Sequence, residues 1–301
     1  MATTSIEPQK PVTGLDKSGP APVRTRKRGK PGRQLVFQIV LSVIAFAWMV
    51  PLLWALYTSL RPYSETAEKG YVSLPDTLTF QNYVTAWTQG NMGQYFLNSL
   101  IIAVPAVIIV LSLSSCAAFV LSRFSFKFNI PMLMFFTAAN LLPQQVVITP
   151  LYRLYLELGL YNTYAGLVVI NVAFQMGFCV FVLSNFMRAL PKELTEAAQI
   201  DGAGVWRQYW QVVLPLTRPA LAALATLEFA WIYNDFFWAL VLVRDGDRMP
   251  VTSALNNLQG NFFVDNNLVA AGAIMIALPT VLIYILLQKH FVAGLTMGAN
   301  K

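Results

Sequence analysis

Residues 191–204 read Pro191-Lys192-Glu193-Leu194-Thr195-Glu196-Ala197-Ala198-Gln199-Ile200-Asp201-Gly202-Ala203-Gly204, and the chain then runs from Val205 to Val213 and on to Leu214-Pro215. The segment divides into two short helices about a turn. Pro191 suits the first turn of a helix, and Glu193 and Glu196 lie near the positive end of its dipole. Gly202 and Gly204 permit a sharp reversal. The second helix carries Val205, Trp206, Tyr209, Trp210 and Val213 as an amphipathic face, with Pro215 expected to end it and Pro219 to open the next element. Ala197 and Ala198 leave the first helix without bulk, so another protein's surface can approach it closely. Such a helix–turn–helix has no core of its own, so its setting decides the fold.

That setting is apolar on both sides. Runs long enough to cross a bilayer are expected near 35–60, 95–121, 130–151, 162–187, 219–243 and 267–289. Each approaches or exceeds the roughly 20 residues that span the hydrocarbon layer. The third is interrupted by Pro143-Gln144-Gln145. Composition agrees: the 301 residues are 56% hydrophobic and 12% charged, against about 25% charged in a soluble domain. The expected fold is an all-α polytopic membrane protein with six transmembrane helices. The first run is too long for the hydrophobic part of a cleaved signal peptide and reads as a signal anchor. A polar stretch from Arg61 to Gly93, broken by Pro62, Gly70, Pro75 and Gly90, separates it from the second.

Charge sets the orientation. Residues 1–34 hold Lys10, Lys17, Arg24, Arg26, Lys27, Arg28, Lys30 and Arg33, without an apolar period, and read as a disordered basic cytoplasmic tail. With that tail inside, sixteen Lys and Arg residues fall on the inner side and five (Arg61, Lys69, Arg153, Arg244, Arg248) on the outer. Both termini are therefore expected in the cytoplasm of a multi-pass cell-membrane protein. The net charge of +7 is concentrated in the tail, which favours anionic lipid over nucleic acid as its partner. Cys116 and Cys179 lie inside apolar runs and read as small buried side chains. A single histidine, His290, leaves no His-based metal cage.

From periodicity alone, the 191–215 segment reads first as an ordinary interfacial helix pair anchored by Trp206 and Trp210. The spacing Glu196-Ala197-Ala198, Asp201-Gly202-Ala203 and Leu214-Pro215 resembles the EAA loop of ABC importer permeases. The ending Gly294-Leu295-Thr296-Met297-Gly298-Ala299 is similar to the tail of the smaller permease in carbohydrate importers of the maltose type, with Asn300 in place of a hydrophobic residue and no glycine after Lys301. The resemblance covers residues 35–301, with the coupling loop at 190–218 and the tail at 290–301. It implies a type I importer permease in which Glu196, Ala197, Ala198, Asp201, Gly202, Ala203, Leu214 and Pro215 couple to an ATPase, and Gly294, Leu295 and Thr296 contact it. The implied partners are a second permease subunit, two ATPase subunits and an extracellular solute-binding protein. No Gly-x-x-x-x-Gly-Lys-Ser/Thr loop is present, so the chain is expected to be non-catalytic and to bind no cofactor, with ATP and Mg on the partner ATPase chains.

Carboxylates at membrane depth are costly and draw attention to function. Glu228, Trp231, Asp235 and Trp238 recur at helical spacing on one expected face, with Asn234 beside them. Asn140, Gln144, Gln145, Asn171 and Gln175 are polar residues in other runs that extend a candidate solute path. Helix–helix packing is an equal alternative for all of them. The outer loop Arg244–Asn267, with Asn256-Asn257-Leu258-Gln259-Gly260-Asn261, either faces the binding protein or is simply solvated. A sugar is the expected solute, with a polyol phosphate next. An ion-coupled carrier using Glu228 and Asp235 is the alternative mechanism.

Overall fold

The structure, a computed structural model, describes residues 31–141, 143–258 and 264–297. The expected basic tail lies outside these residues up to position 30, as do Gln259, Gly260 and Asn261 of the outer loop and Gly298–Lys301 of the ending. The chain divides into two units at Val50 and Pro51. The described part of the first is the start of α1 (Pro31–Ser59), which begins at Pro31, inside the expected tail. Its apolar residues are spread over every face, as suits a helix surrounded by hydrocarbon.

The second unit contains the end of α1 and α2 (Tyr63–Lys69), α3 (Gln81–Gln89), α4 (Met92–Arg123), α5 (Asn129–Ala139), α6 (Ile148–Glu157), α7 (Tyr164–Ala189), α8 (Glu193–Ile200), α9 (Val205–Arg207), α10 (Leu214–Tyr233), α11 (Phe237–Leu242), α12 (Val251–Leu258) and α13 (Asn266–Met297). No strand occurs among the described residues. Among them, five helical stretches are long and apolar enough to cross a membrane: Leu35–Ser59, Met92–Arg123, Tyr164–Ala189, Val205–Tyr233 and Asn266–Leu286. Four coincide with expected spans, and Val205–Tyr233 overlaps the expected 219–243 run over 219–233.

The sixth expected span, 130–151, is not one helix. The 11-residue α5 stops at Ala139, a 3-10 turn occupies Gln144–Val147, and α6 begins at Ile148. Pro143 supplies the break, because a proline ring clashes with the preceding turn and carries no N–H. Two further boundaries differ from expectation. Pro215 does not end a helix: the chain stays helical from Val205 to Tyr233, through a π turn at Gln208–Val213 just before the proline. A widened turn accommodates what a regular α turn would not. The 219–243 run is also shortened, since α10 ends at Tyr233 with Asn234 as its cap.

The core is built on α4 against α7, with α10 packed on both α4 and α13. Along α4, Ala103, Ala106, Val110, Ser114 and Ala118 are fully buried at helical spacing. Small side chains let helix backbones approach closely, which is how apolar helices associate without a hydrophobic driving force. At Gly177 of α7 an added Cβ would lie 2.3 Å from the Phe136 carbonyl oxygen of α5, so these two helices meet backbone to backbone. Buried Asn98 ties the 244–258 segment to α4: its Nδ2 donates to the Asp247 and Met249 carbonyls at 2.8 and 2.9 Å, and its Oδ1 accepts from Tyr164 Oη at 2.8 Å. Much of the expected outer loop is thus held in place, with α12 inside it. The 32-residue α13 runs past the expected end of the last span at 289, and Gly294, Leu295 and Thr296 lie on its backbone.

Candidate functional site

The first candidate is the hairpin of α8 and α9. Glu193 and Glu196 occupy the first turn of α8, as the dipole favours. At the other end, Gly202 has φ +79°. Its N–H donates to the Gln199 carbonyl at 3.0 Å, and the Ala203 N–H donates to the Ala198 carbonyl at 2.9 Å. These two bonds form a Schellman cap, which fixes the direction in which the chain leaves the helix. Nothing lies within 4 Å of a Cβ built on Gly202, so its glycine is required by backbone conformation alone. The turn is closed by Gln208, whose Nε2 donates to the Ala203 carbonyl at 2.8 Å. Gln208 was missed in the sequence; a buried amide in an otherwise amphipathic segment is the signal that could have found it.

The second arm is anchored to the core. Tyr209 is buried, its hydroxyl 2.7 Å from Ser115 Oγ of α4 and its ring tilted against Phe119. Val213 is buried beside it, while Leu214 and Pro215 are half-buried. Trp206 and Trp210 are exposed. Where the first arm begins, Arg123 Nη1 donates to the Leu190 carbonyl at 3.1 Å. The outer side of α8 is open: Glu196, Ala197 and Asp201 are exposed, Ala198 is half-buried, and Ile200 is 86% exposed. Ile200 was not among the expected site residues, although an isoleucine between Gln199 and Asp201 breaks the polar pattern. The hairpin is therefore rigid, anchored at both ends, and apolar at its tip.

The second candidate is the expected solute path, and the structure splits it. Glu228 is fully buried against α7 and accepts a hydrogen bond from Cys179 Sγ at 3.1 Å; its Oε2 has no partner among the described residues. Trp231, three residues on, is 46% exposed. The single face expected from 228 to 238 does not exist, because α10 ends at Tyr233 and Trp238 belongs to α11. Trp238 is buried and packs on Phe174. Asp235 accepts from the Trp238 N–H at 3.3 Å and faces Asn171 Nδ2 at 3.5 Å, beside a cavity of about 10 Å³, the room of a single water. Asn234 is exposed and donates to the Ala230 carbonyl and to Thr280.

Trp231 instead joins the amides of the other runs. Asn140, Gln144, Gln145 and Gln175 line one open cleft of about 460 Å³ with Trp231, whose ring meets Phe178 edge-on at 5.1 Å. Asn140 Nδ2 donates to the Phe136 carbonyl. The cleft sits where the third expected span is broken.

Residues 96–296 match the family of binding-protein-dependent transport system inner membrane components. The chain belongs to this family. It is thus a multi-pass membrane permease component of an ABC importer. A probable ABC transporter permease of Pyrococcus horikoshii is 34% identical to it, over 87% of this chain and 96% of that one. The diacetylchitobiose uptake system permease protein NgcG of Streptomyces coelicolor is 36% identical, over 86% of this chain and 85% of its own length. The melibiose/raffinose/stachyose import permease MelC of Bacillus subtilis is 33% identical, over 88% and 96%. Among solved structures, a chain of a bacterial ABC transporter that imports the acidic polysaccharide alginate superposes with a TM-score of 0.76 at 20% identity, covering 90% of this permease and all of that chain. That likeness establishes the fold of the permease.

Proposed function

We propose that this permease is the smaller membrane subunit of a carbohydrate importer, paired with a second permease subunit and driven by two separate ATPase chains that seat on the 193–207 hairpin. The observation that carries this reading is the hairpin itself. A capped, anchored turn with Ile200 and Ala197 exposed at its tip is built to meet another protein rather than to fold on its own. The asymmetry of Lys and Arg supports placing the hairpin, and both termini, in the cytoplasm. Relatives named for diacetylchitobiose and for melibiose, raffinose and stachyose support a sugar as the solute.

ATP, with Mg, binds and is hydrolysed on the partner chains, since this sequence has no Walker-type phosphate loop. Closure of the ATPase pair displaces the hairpin. The continuous helix from Val205 to Tyr233 carries that movement toward the cleft, and the spans rock between inward- and outward-open forms. A solute-binding protein docks on the opposite side and releases its cargo. Gly294, Leu295 and Thr296 extend the ATPase contact from the end of α13.

The test is a double variant, Ala197→Arg with Ile200→Asp, in the assembled transporter. Binding-protein-dependent uptake is expected to fall about tenfold or more, the effect of losing about 1.4 kcal/mol of docking energy. The ATPase is lost from the purified complex, while membrane insertion and melting temperature stay unchanged. Unaltered assembly together with unaltered uptake would remove the coupling role.

A further inference from the structure

We propose that the cleft at the broken third span is a binding subsite for an uncharged sugar residue, in which Gln144, Gln145 and Gln175 bond the hydroxyls and Trp231 stacks on the ring. This deepens the carbohydrate reading and rests on it.

The first argument is backbone accounting. Phe174, Gln175 and Phe178 lie close to the middle of the 26-residue α7 and therefore near mid-depth in the membrane. At that depth α5 ends at Ala139, and Pro143 is extended ahead of the 3-10 turn at Gln144. Non-helical backbone is tolerated inside a bilayer only where it is buried in protein or lines a wet cavity. Here Leu141 is 80% exposed and Pro143 is exposed, so burial within this chain does not account for it. A wet cavity does.

The second argument is the chemistry of the walls. None of the residues lining the cleft is charged. Among the described residues, the side-chain amides of Gln144, Gln145 and Gln175 make no hydrogen bond, so their donors and acceptors face the cleft unspent. A primary amide offers both a donor and an acceptor, which matches a hydroxyl that is itself both. Trp231, buttressed edge-on by Phe178, adds a flat apolar face suited to the C–H side of a sugar ring. A uronate or phosphate would find no compensating cation on these walls. The volume of about 460 Å³ accommodates one to two hexose rings. Asp235 and Glu228, the only carboxylates nearby in sequence, are turned away into separate environments, so the site is neutral by construction.

The experiment uses the full importer in proteoliposomes with its binding protein and ATPases. Trehalose and raffinose serve as neutral probes and trimannuronate as the acidic one. At least one neutral probe is taken up and trimannuronate is not. Replacing Gln144 and Gln175 together by alanine, or Trp231→Ala, lowers that uptake about tenfold. Trp231→Phe, which keeps an aromatic face, retains most of it. In a Cys116→Ser, Cys179→Ser background, Gln145→Cys is labelled by a water-soluble thiol reagent and is protected by the transported sugar. Full uptake in the alanine variants with the complex intact would overturn the subsite and leave the carbohydrate reading standing. Uptake of trimannuronate would overturn its neutrality. Protection of Gln145→Cys without sugar, with dissociation of the two permeases in Trp231→Ala, would make the cleft a seam between subunits. Failure of both neutral probes to enter, or to stimulate ATP hydrolysis, would count against the carbohydrate reading itself.

Discussion

Two polar segments interrupt the apolar helices, and they are built in opposite ways. Between Arg61 and Asn82 several buried polar groups are spent inside the chain, although Arg61 Nε has no partner among the described residues. Buried Arg61 donates from Nη2 to Glu65 Oε1 at 3.1 Å and to Ser73 Oγ at 2.8 Å. The Glu65 carboxylate also accepts from the backbone N–H groups of Asp76 and Thr77. Asn82 Nδ2 donates to the Ser59 and Arg61 carbonyls, and Asn267 of α13 donates to the Arg61 carbonyl and to Thr66. The 193–207 hairpin bonds its turn and the start of α8 locally and leaves Ile200, Ala197 and Trp206 exposed. Internal hydrogen bonding thus separates a segment fastened into the fold from one whose outer face stays open, although both read as polar in sequence.

The sharpest way to break the first half of that contrast is Asn82→Ala. It removes the side-chain donor of the Ser59 carbonyl and one of the two on the Arg61 carbonyl and is expected to cost about 2 kcal/mol, read as a lower melting temperature of the purified permease. A stability unchanged by the substitution would show that the segment is not fastened through Asn82.

A smaller effect is expected at the hairpin turn. Gly202→Val places a β-branched residue at φ +79° and is expected to cost about 1–2 kcal/mol of local stability, seen as faster amide exchange in residues 198–204 without a change in global melting. Gly202→Asn, which tolerates the left-handed region, recovers most of the protection. Equal behaviour of the two variants would contradict a conformational origin, because neither side chain meets a neighbour at Cβ.

The mildest test uses pH. The backbone N–H of Asp76, then that of Thr77 and the Arg61 guanidinium, hold the Glu65 carboxyl below its ordinary range despite its burial. A depressed carboxyl contributes stability that is present above its unfolded pKa and is lost as pH falls through the folded value. The melting temperature of the native permease is therefore expected to fall on acidification below about pH 4.5 more steeply than that of Glu65→Gln. Parallel curves would remove Glu65 from the clamp.

Much of this was legible in the sequence, for reasons that differ by residue. Five spans followed from run length, because a bilayer demands continuous apolar helix and little else satisfies it. The hairpin turn followed from Gly202, whose conformational role is local. The helix ends at Pro143 and Tyr233 divided the expected spans differently from run length, since one break depends on a proline's clash and the other on Asn234 capping α10. The Arg61–Glu65 clamp left only an i, i+4 pair in a stretch that read as loop, and its partners Asn82 and Asn267 are distant in sequence. Glu228 and Trp231 looked like one face, yet only the packing of α7 decides that one is enclosed and the other open.

The π turn at Gln208–Val213 has a consequence for phase. One extra residue in a turn rotates everything beyond it by about 100° relative to a regular helix. Above that turn, α10 presents Glu228 to α7 and Trp231 to the cleft; near its start, Tyr209 is locked to Ser115. The hairpin and the cleft are thus set like two hands on one shaft, and the single surplus residue is the offset between them. A chain shortened by one position there would keep every side chain outside the turn and lose the alignment.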